Sequence, residues 1–217
     1  MNSKNLLKIA CFATAIVAVI VSFLVFPMLP DAVPVHWNAS GSIDAYGPAW
    51  MGAFLFPAII AFVLLLFAVT PKIAIFKENL KSFEKQYWAL ALVLQVFFLV
   101  FYGVTLMPNF GIEFSYNLLF ITPLSFLFVA IGLLMPSFKR NFFVGIRTPW
   151  TLASDRVWAK THRFGGRLFI VFGIATLFSV ALPEWAFAVV IGLALLMVAA
   201  TFVYSYLVYK KIGRRQL

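Results

Sequence analysis

Long apolar runs separated by short polar stretches set the pattern of this chain. A helix that crosses a bilayer needs about 20 mostly apolar residues. Six runs meet that length, roughly 6–28, 49–69, 87–107, 116–135, 167–183 and 186–208. The fifth is the weakest, bounded by Arg167 and Glu184, and it becomes long enough when Arg167 reaches back to the headgroups on its flexible stem. Alternating apolar-out strands of about 10 residues, the mark of a membrane β-barrel, are absent. The first run is too long for a signal peptide, and Pro27, Met28 and Pro30 stand where small cleavage-site residues would be. The pattern predicts an all-α integral membrane protein with six transmembrane helices. It divides into a two-helix region over 1–70 with a loop at 29–48, a third helix with its flanks over 71–115, and a C-terminal region over 116–217 with a long connection at 136–166.

Composition agrees and excludes other classes. Of 217 residues, 64% are hydrophobic and 11% charged, with 26 phenylalanines, too few charges to solvate a globular surface. A water-soluble enzyme, a disordered tail and a disulfide-stapled domain are ruled out, and the single Cys11 forms no internal bridge. The formal charge of +10 takes its meaning from its distribution. Lys4 precedes the first run and Lys8 lies in its opening residues. Lys72, Lys77, Lys81 and Lys85 fill the second connection. Lys139, Arg140, Arg147, Arg156, Lys160, Arg163 and Arg167 occupy the fourth, and Lys210, Lys211, Arg214 and Arg215 the tail; together these are all 17 Lys and Arg. The first, third and fifth connections carry only Asp31, Asp44, Glu113 and Glu184. Basic residues beside spans stay in the cytoplasm, so both termini are expected there. The charge is a topological signal with a secondary role at anionic lipid headgroups. No connection is large enough for a folded basic domain, which argues against direct nucleic-acid binding.

At membrane depth the runs hold no Asp, Glu, Lys, Arg or His, whereas ion-coupled carriers keep such groups facing a cavity. Gln95 is the most polar deep side chain, read as an interhelical hydrogen bond before a substrate contact. There is no H-E-x-x-H, no G-x-S-x-G and no phosphate-binding glycine loop. No catalytic residue, cofactor or metal is assigned, and the chain is not expected to be an enzyme.

Two polar segments stand out. The first connection reads L-P-D-A-V-P-V-H-W-N-A-S-G-S-I-D-A-Y-G-P over 29–48. Its prolines favour extended backbone and its glycines turns. His36, Trp37, Asn38, Asp44 and Tyr46 gather there, either as an ordered loop in the interfacial aromatic belt or as a recognition surface for something arriving from outside. One His with two Asp falls short of a zinc ligand set. The fourth connection carries N-F-F-V-G-I-R-T-P-W-T-L-A-S-D-R-V-W-A-K-T-H-R-F-G-G. Ser154 and Asp155 suit a helix start, and Gly165 with Gly166 an interruption or end. Arg156, Lys160 and Arg163 fall at i, i+4 and i+7 as one basic stripe. That stripe suits a short helix lying on anionic lipid, or equally an acidic protein partner. His162 is a lone imidazole and is read as structural. The stretch from Gly145 to Thr151 is a candidate switch, since Pro149 holds Thr148 extended and Gly145 opens conformations closed to other residues.

These segments carry a resemblance. The run Leu29-Pro30, then Val33-Pro34-Val35-His36-Trp37-Asn38, Gly41, Asp44 and Tyr46-Gly47 resembles the N-terminal region of SdpI-type membrane proteins. The run from Asn141 to Leu152, with Val157-Trp158 and Thr161-His162-Arg163, resembles that family's signature. The resemblance implies a bacterial plasma-membrane immunity and receptor protein, conferring resistance to a secreted peptide toxin and capturing a small winged-helix repressor at the cytoplasmic face. It places toxin recognition at His36, Trp37, Asn38, Asp44 and Tyr46. Partner binding falls to Arg147, Thr148, Pro149, Trp150, Arg156, Trp158, Lys160, His162 and Arg163. The alternative is a small six-helix transporter of unknown solute.

Overall fold

The computed structural model describes residues 2–112, 115–182 and 184–213; Glu113, Arg214 and Arg215 of the charge pattern lie outside the described residues. Among those described, six helical segments are long and apolar enough to cross a membrane: Ser3–Met28, Ala49–Ile73, Glu84–Phe110, Leu118–Ser137, Asp155–Ala181 and Ala186–Ile212. Their helices are α1 (Ser3–Val25), α2 (Ala49–Ile73), α4 (Glu84–Leu106), α5 (Tyr116–Leu134), α7 (Asp155–Phe178) and α8 (Ala186–Gly213), with short α3 (Lys77–Ser82) and α6 (Pro149–Ala153) between them. Helices α1, α2 and α4 pack on one another, α4 continues to α5, α5 to α7, and α7 to α8. The spans thus form an N-terminal and a C-terminal group of three, joined along α4 and α5.

Three features differ from the sequence expectation. First, the fifth span is far longer than 167–183. Ser154 caps it by accepting from the Val157 amide at 3.4 Å, and it runs unbroken from Asp155 through Gly165 and Gly166. The separate short surface helix does not exist; its residues are the first turns of α7. The glycines allow close packing instead of ending the helix. A Cβ on Gly166 would lie 2.7 Å from the Gly132 carbonyl oxygen of α5, and one on Gly173 2.7 Å from that of Ser125. In a bilayer, where apolar burial gives no drive for helices to associate, such small-residue seams let backbones approach.

Second, the 29–48 connection is a β-hairpin. Strand β1 (Ala32–Trp37) pairs antiparallel with β2 (Ile43–Pro48), with irregularities on either side of His36. Asn38 organises the turn: its Oδ1 accepts from the amides of Ser40 and Ser42, each at 3.0 Å, and Gly41 takes a positive φ of 83°. Val33 is fully buried against Gly52 at the start of α2, where a Cβ would come within 2.8 Å of it.

Third, the 136–166 connection includes the extra helix α6 and is largely ordered by its own side chains. The molecule therefore has two distinct ends. The hairpin lies with the start of α2, the end of α4 and the starts of α5 and α8. At the other, basic end, Lys4 and Lys8 of α1 both bond Glu84 of α4, at 2.7 and 2.6 Å.

Candidate functional site

On the hairpin face, β1 roofs a cavity of about 500 Å³. Its floor and walls are Met51, Leu55 and Phe56 of α2, Phe101 and Thr105 of α4, Phe120, Ile121 and Leu124 of α5, and Phe187, Val190 and Ile191 of α8. Almost every wall is apolar, and the volume falls within the roughly 300–1,000 Å³ of ordinary ligand cavities. The polar groups sit at the rim. His36, Trp37 and Asn38 all line it, so three of the five recognition residues read from the sequence meet at one site. Trp37 sets its ring edge against Phe120, with centroids 5.3 Å apart. His36 Nδ1 bonds Asp44 Oδ1 at 2.5 Å across the two strands, which places Asp44 beside the rim. Tyr46 is the exception. It pairs with Pro34 in the register, is 63% exposed, and is not among the lining residues.

The apolar walls went unseen in the sequence, because they come from four helices and a strand between Pro34 and Ile191. No local pattern announces that meeting.

On the basic face the long signature run is a closed knot. Asn141 is buried and its Oδ1 accepts from the amides of Phe143 and Val144, both at 2.8 Å. Its Nδ2 donates to the carbonyls of Lys139 and Val144. Gly145, at φ 114°, brings the chain against α7, where the Ile146 amide donates to His162 Nε2 at 3.0 Å. Because Nε2 accepts, the ring proton sits on Nδ1, which lies 2.9 Å from the Trp158 carbonyl oxygen. That fixes a neutral imidazole. Trp158 stacks on the His162 ring at 4.0 Å and donates from Nε1 to the Phe138 carbonyl at 2.8 Å. Thr148 caps α6 in a reciprocal capping box with Thr151, with Pro149 opening the helix. Its hydroxyl also donates to Ser205 of α8 at 3.0 Å. Trp150 lies against Phe202 and Tyr206, at 4.9 and 5.1 Å.

The sequence grouped Thr148, Trp158 and His162 with partner-binding residues. All three are buried, Thr148 at 6%, Trp158 at 2% and His162 at 0% exposed, so in this arrangement they are not presented on the surface. They hold the loop. Nor does the 145–151 stretch lie open; every turn of it is bonded. Arg147 is exposed and donates to the Phe142 carbonyl. A further clamp escaped the sequence reading. Arg140 pairs with Asp155 at 2.8 Å, donates to the Leu152 carbonyl, and lies over the Phe76 ring at 5.1 Å. The one available signal was Asp155 itself, assigned only to the helix dipole.

Outside the knot, Arg156, Lys160 and Arg163 are exposed on one side of α7 while Val157, Trp158, Thr161 and His162 are buried on the other. Arg167 is also exposed and continues the stripe by one more turn. Since α7 rises about 1.5 Å per residue, the four cations form a ridge about 16 Å long. In the bundle interior, Gln95 is buried and donates from Nε2 to the Ile60 carbonyl at 3.3 Å, tying α4 to α2. Among the described residues, no three of His, Cys, Asp and Glu come together as a metal site would require.

Fold and site together define a multi-pass membrane protein with a roofed apolar cavity on one face and a locked basic loop on the other. Residues 137–205 match the SdpI/YfhL protein family, and residues 13–61 match a domain of unknown function, DUF1648. The chain is 27% identical over 214 residues to the immunity protein SdpI of Bacillus subtilis (strain 168), covering 97% of this chain and 98% of that protein. The SdpI-family resemblance carried by the signature run is therefore real, and it extends through the knot, α7 and most of α8. The hairpin and the first two spans fall largely within the second match. No solved structure matches the chain.

Proposed function

We propose that this chain is a membrane immunity protein of the SdpI type in a bacterial plasma membrane, with both termini cytoplasmic and the hairpin face outside. It protects its cell from a secreted peptide toxin that engages the hairpin face. It also captures a small winged-helix repressor on the exposed α7 ridge, where anionic lipid headgroups are the competing partners. The observation that carries this reading is the near end-to-end similarity to the immunity protein SdpI. The absence of Lys and Arg from the hairpin-side connections supports the orientation.

Expression in a toxin-sensitive cell should raise survival against a cognate peptide of that class; no protection against any such toxin sinks the immunity reading. Reporter fusions after residues 40, 112 and 184 should read outside, and those after 80, 150 and 217 inside. Cytoplasmic activity at residue 112 would break the six-span topology. The ridge is tested with Arg163→Glu, which at normal abundance should abolish repressor recruitment while leaving immunity intact. The transporter alternative is tested at Gln95, whose Nε2 is bonded to the Ile60 carbonyl of α2 while its buried Oε1 has no partner among the described residues: solute uptake in proteoliposomes that is lost on changing Gln95 would favour it.

A further inference from the structure

The cavity under β1 has a polarity that defines what it can hold. Its walls are apolar, so an occupant must bring an apolar segment of matching size. Its surroundings carry charge of one sign. Asp44 is bonded to the rim residue His36. Glu184 is exposed two residues before Ala186 and three before Phe187, both of which line the cavity. Asp31, at the foot of β1, is exposed as well. No Lys or Arg occurs in any connection on this face, so no basic side chain of these connections offsets the carboxylates. An anionic occupant would meet like charge on this face, whereas a cationic one is attracted to it.

We infer that the cavity binds a cationic amphipathic peptide, its apolar side chains inside and its positive charges at Asp44 and Glu184. This rests on the proposed immunity reading for the peptide's biological identity, but the binding chemistry rests on the cavity alone. The apolar part supplies affinity through buried area. The charges select among apolar peptides, all of which would otherwise partition into the bilayer.

The test uses the full chain in phosphatidylcholine nanodiscs and two fluorescent synthetic peptides. Both share one leucine- and phenylalanine-rich segment; one is flanked by two lysines, the other by two glutamates. Anisotropy is read against empty nanodiscs, which removes simple partitioning. The lysine peptide should bind about tenfold tighter or better, a gap of about one decade in Kd, and should weaken as salt rises. The double variant Asp44→Lys with Glu184→Lys, both at exposed positions, should erase or invert the preference. Val190→Trp, which fills the cavity from α8, should weaken both peptides about tenfold. Equal binding of the two peptides to the unmodified chain overturns the inference, as does a folded Val190→Trp protein that binds like the parent. If Val190→Trp does not fold, the charge-reversal pair decides by itself. The two readings fail separately. Cells left unprotected while the lysine peptide still binds refute immunity alone, and full protection by the charge-reversed variant refutes the cavity's role alone.

Discussion

Gly145→Ala is the sharpest probe of the basic-face knot. At φ 114° an alanine sits where L side chains are sterically penalised, at a cost of about 1–2 kcal/mol. The added Cβ meets a second obstacle, the His162 ring, which it would approach to within contact distances no real structure allows. The ring must turn or the loop must lift, and either breaks the bond from the Ile146 amide to Nε2. A buried donor left without its partner costs a further 1–3 kcal/mol or so. The loop should therefore lose at least about 2 kcal/mol against its open form, which is a roughly thirtyfold rise in the open population. Trypsin cleavage after Arg147 reads that population directly, because the bond is cut only when the segment opens. Cleavage of the alanine variant should be faster by about that factor, with the spans intact. In a His162→Ala background the clash disappears and only the backbone term remains, so the same substitution should cost about half as much. Equal cleavage of variant and parent, or an unchanged effect in the His162→Ala background, would refute the claim that Gly145 and His162 close the loop together.

Three further outcomes follow from the packing. Gly166→Val drives a side chain into the Gly132 backbone and should lower bundle stability by about 1–3 kcal/mol, read as an earlier thermal transition in detergent. Glu84→Gln removes the shared partner of Lys4 and Lys8, but those side chains are 40% and 35% exposed. Each pair is therefore worth under about 1 kcal/mol, and a collapse of the fold would contradict that. Thr148→Val deletes the α6 cap and the bond to Ser205, and should cost about 1–2 kcal/mol of loop stability, visible as faster exchange of the amides in 146–152.

The six spans were legible because membrane insertion imposes a length and composition that a single sequence displays. The hairpin was not. Its strands are six residues each, β1 carries an interior proline, and its alternation is broken beside His36. The extent of α7 was misread for a different reason. Its first three turns combine an exposed cationic side with a fully buried one, so average hydropathy there resembles a loop. Gly165 and Gly166 then look like terminators, although they are where the helix meets Met135 and Gly132. Of the candidate site, the rim residues were visible as a polar and aromatic cluster, while the walls that make it a cavity were not. His162 was isolated in sequence because its partner is a backbone amide sixteen residues away, and backbone partners leave no trace in residue types.

Helix α8 is where the two faces meet. Near its start, Ala186, Phe187, Val190 and Ile191 line the cavity. Near its end, Ser205 accepts from the Thr148 hydroxyl that caps α6, with Phe202 and Tyr206 against Trp150. Val190 and Ser205 are fifteen residues apart, about 22 Å along a rigid rod. An occupant of the cavity changes the basic loop only if the position of α8 differs between two states and the occupant prefers one of them. The Ser205 bond is the smallest link that would transmit such a shift. Ser205→Ala should leave the loop folded, since Thr148 keeps its bonds to Thr151, at a cost of about 1 kcal/mol. With the lysine peptide bound, hydrogen exchange over 141–152 should change in the parent protein and change much less in Ser205→Ala. If the parent's loop exchanges identically with and without peptide, the faces are energetically independent, and a repressor docked on α7 has no means of sensing what fills the cavity.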